Sequence, residues 1–181
     1  MGLTGRKKGE SVVKTVFVVN LQKYPCHKKL LELFAIQAGR YGDIEILDIA
    51  SGEPLHEIYY KIAAGGYSLL ISFDCAGFEL RTESDTLAYN QLGCRMAHIL
   101  FHDRDEYGEN LSQQMNFSMF VFSSVREDVV FLQKNFPNIP NIEWLEIPEE
   151  FLPIGEDELD GNDTWISEWL SHMMEMAEIQ C

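Results

Sequence analysis

From residue 12 to residue 73 the chain reads VVKTVFVVNLQKYPCHKKLLELFAIQAGRYGDIEILDIASGEPLHEIYYKIAAGGYSLLISF, and this stretch decides the fold. Residues 12–20 (VVKTVFVVN) are rich in β-branched side chains and close on a polar residue, which predicts a buried strand. Pro25 opens a helical stretch in which Leu30, Leu31, Phe34 and Ala38 fall at helical spacing, with Gly39 and Gly42 as stop signals. Residues 44–49 (IEILDI) form a second strand. Residues 53–64 carry Leu55, Ile58, Tyr59 and Ile62 at helical spacing and end at Gly65-Gly66, and residues 67–73 (YSLLISF) are a continuous apolar strand.

The same alternation continues outward. A long polar connection (residues 74–93) leads to a fourth strand, 95–101 (RMAHILF), a short helix over 105–115 and a fifth strand, 117–122 (FSMFVF). Ser124 with Glu127 three residues on spells a capping box for a helix running to about residue 135. Residues 142–147 (IEWLEI) are a sixth strand, and 148–163 read as an acidic, Pro/Gly-punctuated loop. Residues 164–179 form an amphipathic helix whose stripe of Trp165, Ile166, Trp169, Leu170, Met173, Met174 and Ala177 should pack on the sheet. Behind a polar lead-in (residues 1–11), residues 12–181 are expected to make one three-layer α/β, Rossmann-like domain with a mostly parallel sheet of about six strands.

Composition narrows the function. The chain has 181 residues, 46% of them hydrophobic, with 14 Lys plus Arg against 29 Asp plus Glu and a net charge of −15. That balance disfavours nucleic acid and anionic membranes as partners, since both need a basic surface. The charge is also uneven. Arg6, Lys7, Lys8, Lys14, Lys23, Lys28 and Lys29 crowd the first thirty residues, whereas no Lys or Arg follows Lys134 and acids continue from Glu143 to Glu178. No apolar run reaches the length of a membrane span, no secretory signal opens the chain, and Arg6 breaks the myristoylation pattern. Cys26, Cys75, Cys94 and Cys181 form no C-x-x-C pair, which removes support for zinc-ribbon and thioredoxin readings. The expectation is a cytoplasmic protein with reduced thiols.

Open parallel sheets place ligands outside the carboxyl ends of their strands, so the loops after residues 20, 73, 101 and 122 hold the candidate site. The first, Asn20-Leu-Gln-Lys-Tyr-Pro-Cys-His, has no glycine, which excludes a dinucleotide fingerprint or P-loop. Asn20, Tyr24 and His27 there could bond a neutral ligand, or simply form a loop with a helix start at Pro25. In the next loop, Gly77 permits a tight turn, and Asp74 either caps backbone amides or faces a ligand hydroxyl. The densest cluster is Phe101-His102-Asp103-Arg104-Asp105-Glu106-Tyr107, where a histidine and carboxylates at a strand end suit acid/base work. His102 is the candidate base or orienting group; Asp74, Asp103 and Asp105 would bond substrate hydroxyls, with Gly77 and Tyr107 beside them. Asp103 and Asp105 also make a D-x-D that could hold a metal ion, or they complement a helix dipole. Ser123 and Ser124 suit helix capping, no G-x-S-x-G nucleophile elbow occurs, and no Cys/His nucleophile pattern is legible. No cofactor or metal ligand set is assigned from these residues.

The runs ISFDCAGFE (71–79), CRMAHILFHDRDEYGENLSQQMNFSMFVFSS (94–124) and REDVVFLQKNFPNIPNIEWLEIP (126–148) carry a resemblance. Together they resemble the N-terminal Rossmann-like half of bacterial two-domain (GT-B type) glycosyltransferases, over roughly residues 12–150. The matching stretches are 69–74, 99–103, 120–128 and 135–139. The resemblance implies an acceptor-side half-domain that recognises a sugar or glycan. Relatives bind the sugar nucleotide mainly in a C-terminal half. This chain ends before one, and it carries Asp103-Arg104 where many relatives have a proline. The expectation is therefore a domain non-catalytic alone, or active only with a partner chain. The alternative from charge is an acidic, non-catalytic protein that binds a basic protein partner.

Overall fold

A computed structural model describes residues 13–102, 111–112, 119–139, 141–147 and 164–178. The lead-in (1–11), the acidic loop (148–163), and Asp103, Asp105 and Tyr107 lie outside the described residues. Strands β1 (Val13–Val19), β2 (Gly42–Asp48), β3 (Leu69–Phe73), β4 (Arg95–Leu100), β5 (Met119–Ser123) and β6 (Asn141–Trp144) alternate with helices α1 (His27–Ala38), α2 (Leu55–Ala64), α3 (Arg126–Asn135) and α4 (Thr164–Glu178). The six strands form one sheet in the order β2-β1-β3-β4-β5-β6, every neighbouring pair parallel. This is the three-layer α/β architecture that the alternation predicted.

Residue parity divides the core. Phe17 and Val19, Leu69, Ile71 and Phe73, Ala97 and Ile99, and Phe120 and Phe122 face α1 and α4. Val16 and Val18, Leu70, Met96 and Val121 face α2 and α3. The central strands are buried on both faces, which explains why their sequences are unbroken apolar runs rather than alternating ones. In α4, Ile166, Trp169, Leu170 and Met173 are buried against the sheet side of α1. The ring of Trp169 meets Phe34 at 5.5 Å and Phe122 at 5.2 Å, edge to face.

Three local readings change. Gly42 is not a stop signal but the first residue of β2, where a Cβ would lie 1.8 Å from the Val13 carbonyl oxygen. Ser124 does not cap α3. The helix starts after Val125, whose backbone is extended and which makes no side-chain cap bond. Instead Ser123 Oγ accepts the Val125 N–H (3.1 Å) and donates to the Val125 carbonyl (3.1 Å), tying the strand end down before the helix begins. The long polar connection after β3 is also a packed excursion rather than a loose one. Phe78, Leu80, Leu87, Ala88 and Tyr89 are buried in it, and it covers the α2/α3 face where a crossover helix would otherwise lie.

Candidate functional site

The strand order reverses direction at β1 and β3: the chain leaves β1 towards one edge and returns to β3 on the other side. Connections from the two carboxyl ends therefore diverge, and in doubly wound sheets the crevice between such connections is the usual ligand position. At that point Asn20 to His27 follow β1, Asp74 to Gly77 follow β3, and His102 follows β4.

The β1 loop coils into successive turns. Tyr24 N–H donates to the Asn20 carbonyl (2.9 Å), His27 N–H to the Tyr24 carbonyl (3.1 Å), and Asn20 Oδ1 accepts the Lys23 N–H (2.9 Å). Asn20 thus shapes the loop, and the coil delivers Cys26 and His27 at the first turn of α1. After β3, the turn uses left-handed backbone at two consecutive non-glycine residues, Asp74 (φ 47°) and Cys75 (φ 57°). Such residues are held only where the surroundings impose them. Here Ser72 Oγ and Tyr89 Oη both donate to the Ala76 carbonyl, at 2.8 and 2.6 Å. Gly77 (φ 89°) completes the turn directly over Tyr89, whose Oη would lie 1.9 Å from a Cβ.

This turn sets the Asp74 carboxylate, fully shielded from solvent, among four donors or partners. Oδ1 accepts the backbone N–H of Phe101 (2.7 Å) and of His102 (3.3 Å). Oδ2 lies 2.7 Å from His102 Nδ1 and 2.7 Å from His27 Nε2. The His102 contact is a hydrogen bond. The His27 contact is close but oblique to the ring, and neither nitrogen of His27 has a directed hydrogen-bond partner. His27 is 1% exposed and boxed by the rings of Phe73 and Phe101, at 5.6 and 5.2 Å. The Tyr24 ring covers both imidazoles, 4.9 Å from His27 and 4.6 Å from His102, and carries the Lys23 ammonium 4.7 Å above it. Of the His27, Asp74 and His102 side chains, only that of His102 reaches solvent, at 29%.

The structure therefore brings together Tyr24, His27, Asp74 and His102 from residues far apart in the chain, and sets Gly77 beneath them as a turn residue. Cys26 joins them, although sequence reasoning passed over it. Its thiol sulfur and one ring nitrogen from each of His27 and His102 lie within 4.8 Å of one another. The adjacent Cys-His pair at the end of the loop after the first strand was the available signal. Partial burial, helped by the negative field of Asp74, pushes the Cys26 thiol up. A raised thiol is a poor nucleophile, so Cys26 is no activated cysteine as it stands. In the tautomer that donates Nδ1–H to the carboxylate, Nε2 carries the lone pair that a general base requires.

Cys26, Cys75 and Cys94 are free thiols, and no helix among the described residues is long and apolar enough to cross a membrane. No protein-family model, curated protein or solved structure matches the chain.

Proposed function

We propose that the crevice at the β1/β3 divergence binds a small hydroxyl-bearing molecule and that His102 removes its proton. The observation that carries this reading is the 2.7 Å bond between His102 Nδ1 and the solvent-shielded Asp74 carboxylate, which orients the ring. His102 Nε2 takes the hydroxyl proton, the oxygen attacks an electrophilic carbon of a donor, and the leaving group departs with its electron pair. An acceptor sugar in glycosyl transfer is the substrate class that suits this chemistry and the resemblance to glycosyltransferase N-terminal halves. Asp74, with no exposure, serves by orienting His102 rather than by touching the acceptor. The unpaired thiols of Cys26, Cys75 and Cys94 suit a reducing cytoplasmic location.

A thermal-shift screen against sugars, nucleotide sugars and divalent ions, with His102→Ala beside the wild type, tests the reading. An acceptor sugar should raise the melting temperature and move the amide resonances of residues 74–78 and 102. In a transfer assay supplied with nucleotide sugar, His102→Ala should lose about 10²- to 10⁴-fold in rate. If no sugar perturbs those residues, the acceptor reading falls. The net charge of −15 then favours the second reading, a non-catalytic protein docking a basic partner. That association would weaken steeply with ionic strength.

A further inference from the structure

We propose that Cys26, His27 and His102 form a binding site for a divalent transition-metal ion of the zinc class. The ligands would be the Cys26 thiolate and one ring nitrogen from each histidine, with the Asp74 carboxylate beside both rings. Three observations converge on it.

The donor set comes first. One sulfur and two imidazole nitrogens lie within 4.8 Å of one another. An N₂S set suits zinc, cobalt or copper and does not suit magnesium or calcium, which take oxygen. A tetrahedral ion with bonds of about 2.0–2.3 Å needs its ligand atoms about 3.5 Å apart. The remaining contraction is small, and it falls on an exposed Cys26 and a part-exposed His102.

Second, His27 is an imidazole buried to 1% exposure with no directed hydrogen bond at Nδ1 or Nε2. A buried polar ring without a directed hydrogen bond is unfavourable. Coordination of one nitrogen would give the ring a directed partner, which neither the oblique Asp74 contact nor the rings of Phe73 and Phe101 supply. Third, one oxygen of Asp74 stands 2.7 Å from a nitrogen of each ring. A carboxylate on the far nitrogen of a ligating histidine fixes ring orientation and raises its basicity. Here a single carboxylate reaches two.

Three protein ligands leave the fourth tetrahedral position open to water or a small ligand, which is the pattern of a reactive rather than a structural site. The site itself stands on these side chains alone. Its consequence for His102 rests on the general-base reading above: an ion on the ring occupies the lone pair that would accept the proton. The metal-bound and proton-accepting states therefore exclude each other, and zinc would act as an off-switch for the base.

Cobalt(II) tests the site directly. The full chain, reduced and freed of metal with a chelator, is titrated with Co²⁺ alone. One equivalent should give the intense visible bands of four-coordinate cobalt together with a near-ultraviolet thiolate-to-cobalt charge-transfer band, and Zn²⁺ should displace both. Cys26→Ser, at an exposed position, should keep the fold by circular dichroism and lose the charge-transfer band, while Cys94→Ser keeps it. Asp74→Asn should weaken binding about 10- to 100-fold. A weak octahedral spectrum, or a charge-transfer band that survives Cys26→Ser, overturns the proposal. None of these readouts depends on a sugar, so the metal site and the acceptor reading fail separately.

Discussion

His98 sits at the centre of β4, fully buried between the rings of Phe78 (5.2 Å) and Tyr89 (5.6 Å). Ser72 pairs with it across the sheet, but the Ser72 hydroxyl is already committed to Ala76, and both His98 nitrogens are unbonded. Desolvation with no compensating partner lowers its pKa from 6.5 to about 3. The native state therefore holds His98 neutral where the unfolded chain binds a proton. Stability is full above about pH 6.5 and falls with decreasing pH toward about 3, by roughly 1 kcal/mol per pH unit. Urea unfolding at about pH 7 and pH 4.5 should show the wild type losing about 2–3 kcal/mol more across that interval than His98→Leu, which cannot titrate. Equal losses would mean that other groups set the acid limb. The contrast with His102 is instructive. Both were visible as histidines of one apolar run, and His102 drew attention because it ended the run. That reasoning located the crevice side of β4, but it gave no hint of Cys26 or of the oblique His27 contact.

At the scale of elements, strand and helix identities were legible because apolar runs and helical stripes are local properties. Cap chemistry was less so. The Ser124/Glu127 pair satisfies the capping pattern in one dimension, yet Ser124 N–H is taken by the Leu100 carbonyl across the sheet and the helix begins a residue later. Tertiary bonding outcompeted the local motif. The connection after β3 likewise reads as polar, because its few apolar residues are spread over a long segment. All the same, they bury together once the sheet offers them a face. The described part of the α4 stripe, Ile166, Trp169, Leu170 and Met173, is buried as its helical spacing predicts, while the side chains of Met174 and Ala177 lie outside the described residues. Trp169 has ring contacts to both α1 and β5, so it ties the last helix to the sheet. Trp169→Ala should cost about 3–5 kcal/mol in chemical denaturation. Trp169→Phe should cost much less, since the indole N–H is buried without a partner.

Across the whole molecule, the α/β class follows from alternation alone, but the strand order does not. His27, Asp74 and His102 come together because β1 and β4 flank β3, and a linear sequence does not state which strands are neighbours. That is why the residues of the site could be nominated singly while their assembly around one carboxylate could not. The charge distribution is equally a whole-molecule property: an acid-rich C-terminal part and a basic front segment set long-range fields without determining any fold element.

The Asp74 carboxylate also gives the crevice its own clock. The amides of Phe101 and His102 lie beyond the last residue of β4, yet both donate to Asp74 Oδ1. Ordinary loop amides exchange with solvent deuterium almost at once, whereas bonded ones wait for a local opening. These two should exchange at rates close to those of the β4 amides in native-state deuterium exchange. In Asp74→Asn they should quicken first, ahead of any change in the sheet. Slow exchange there means the strand ends breathe as one unit, so whatever enters the crevice meets a rigid floor; loop-like exchange would mean that the carboxylate lets go many times before the sheet moves.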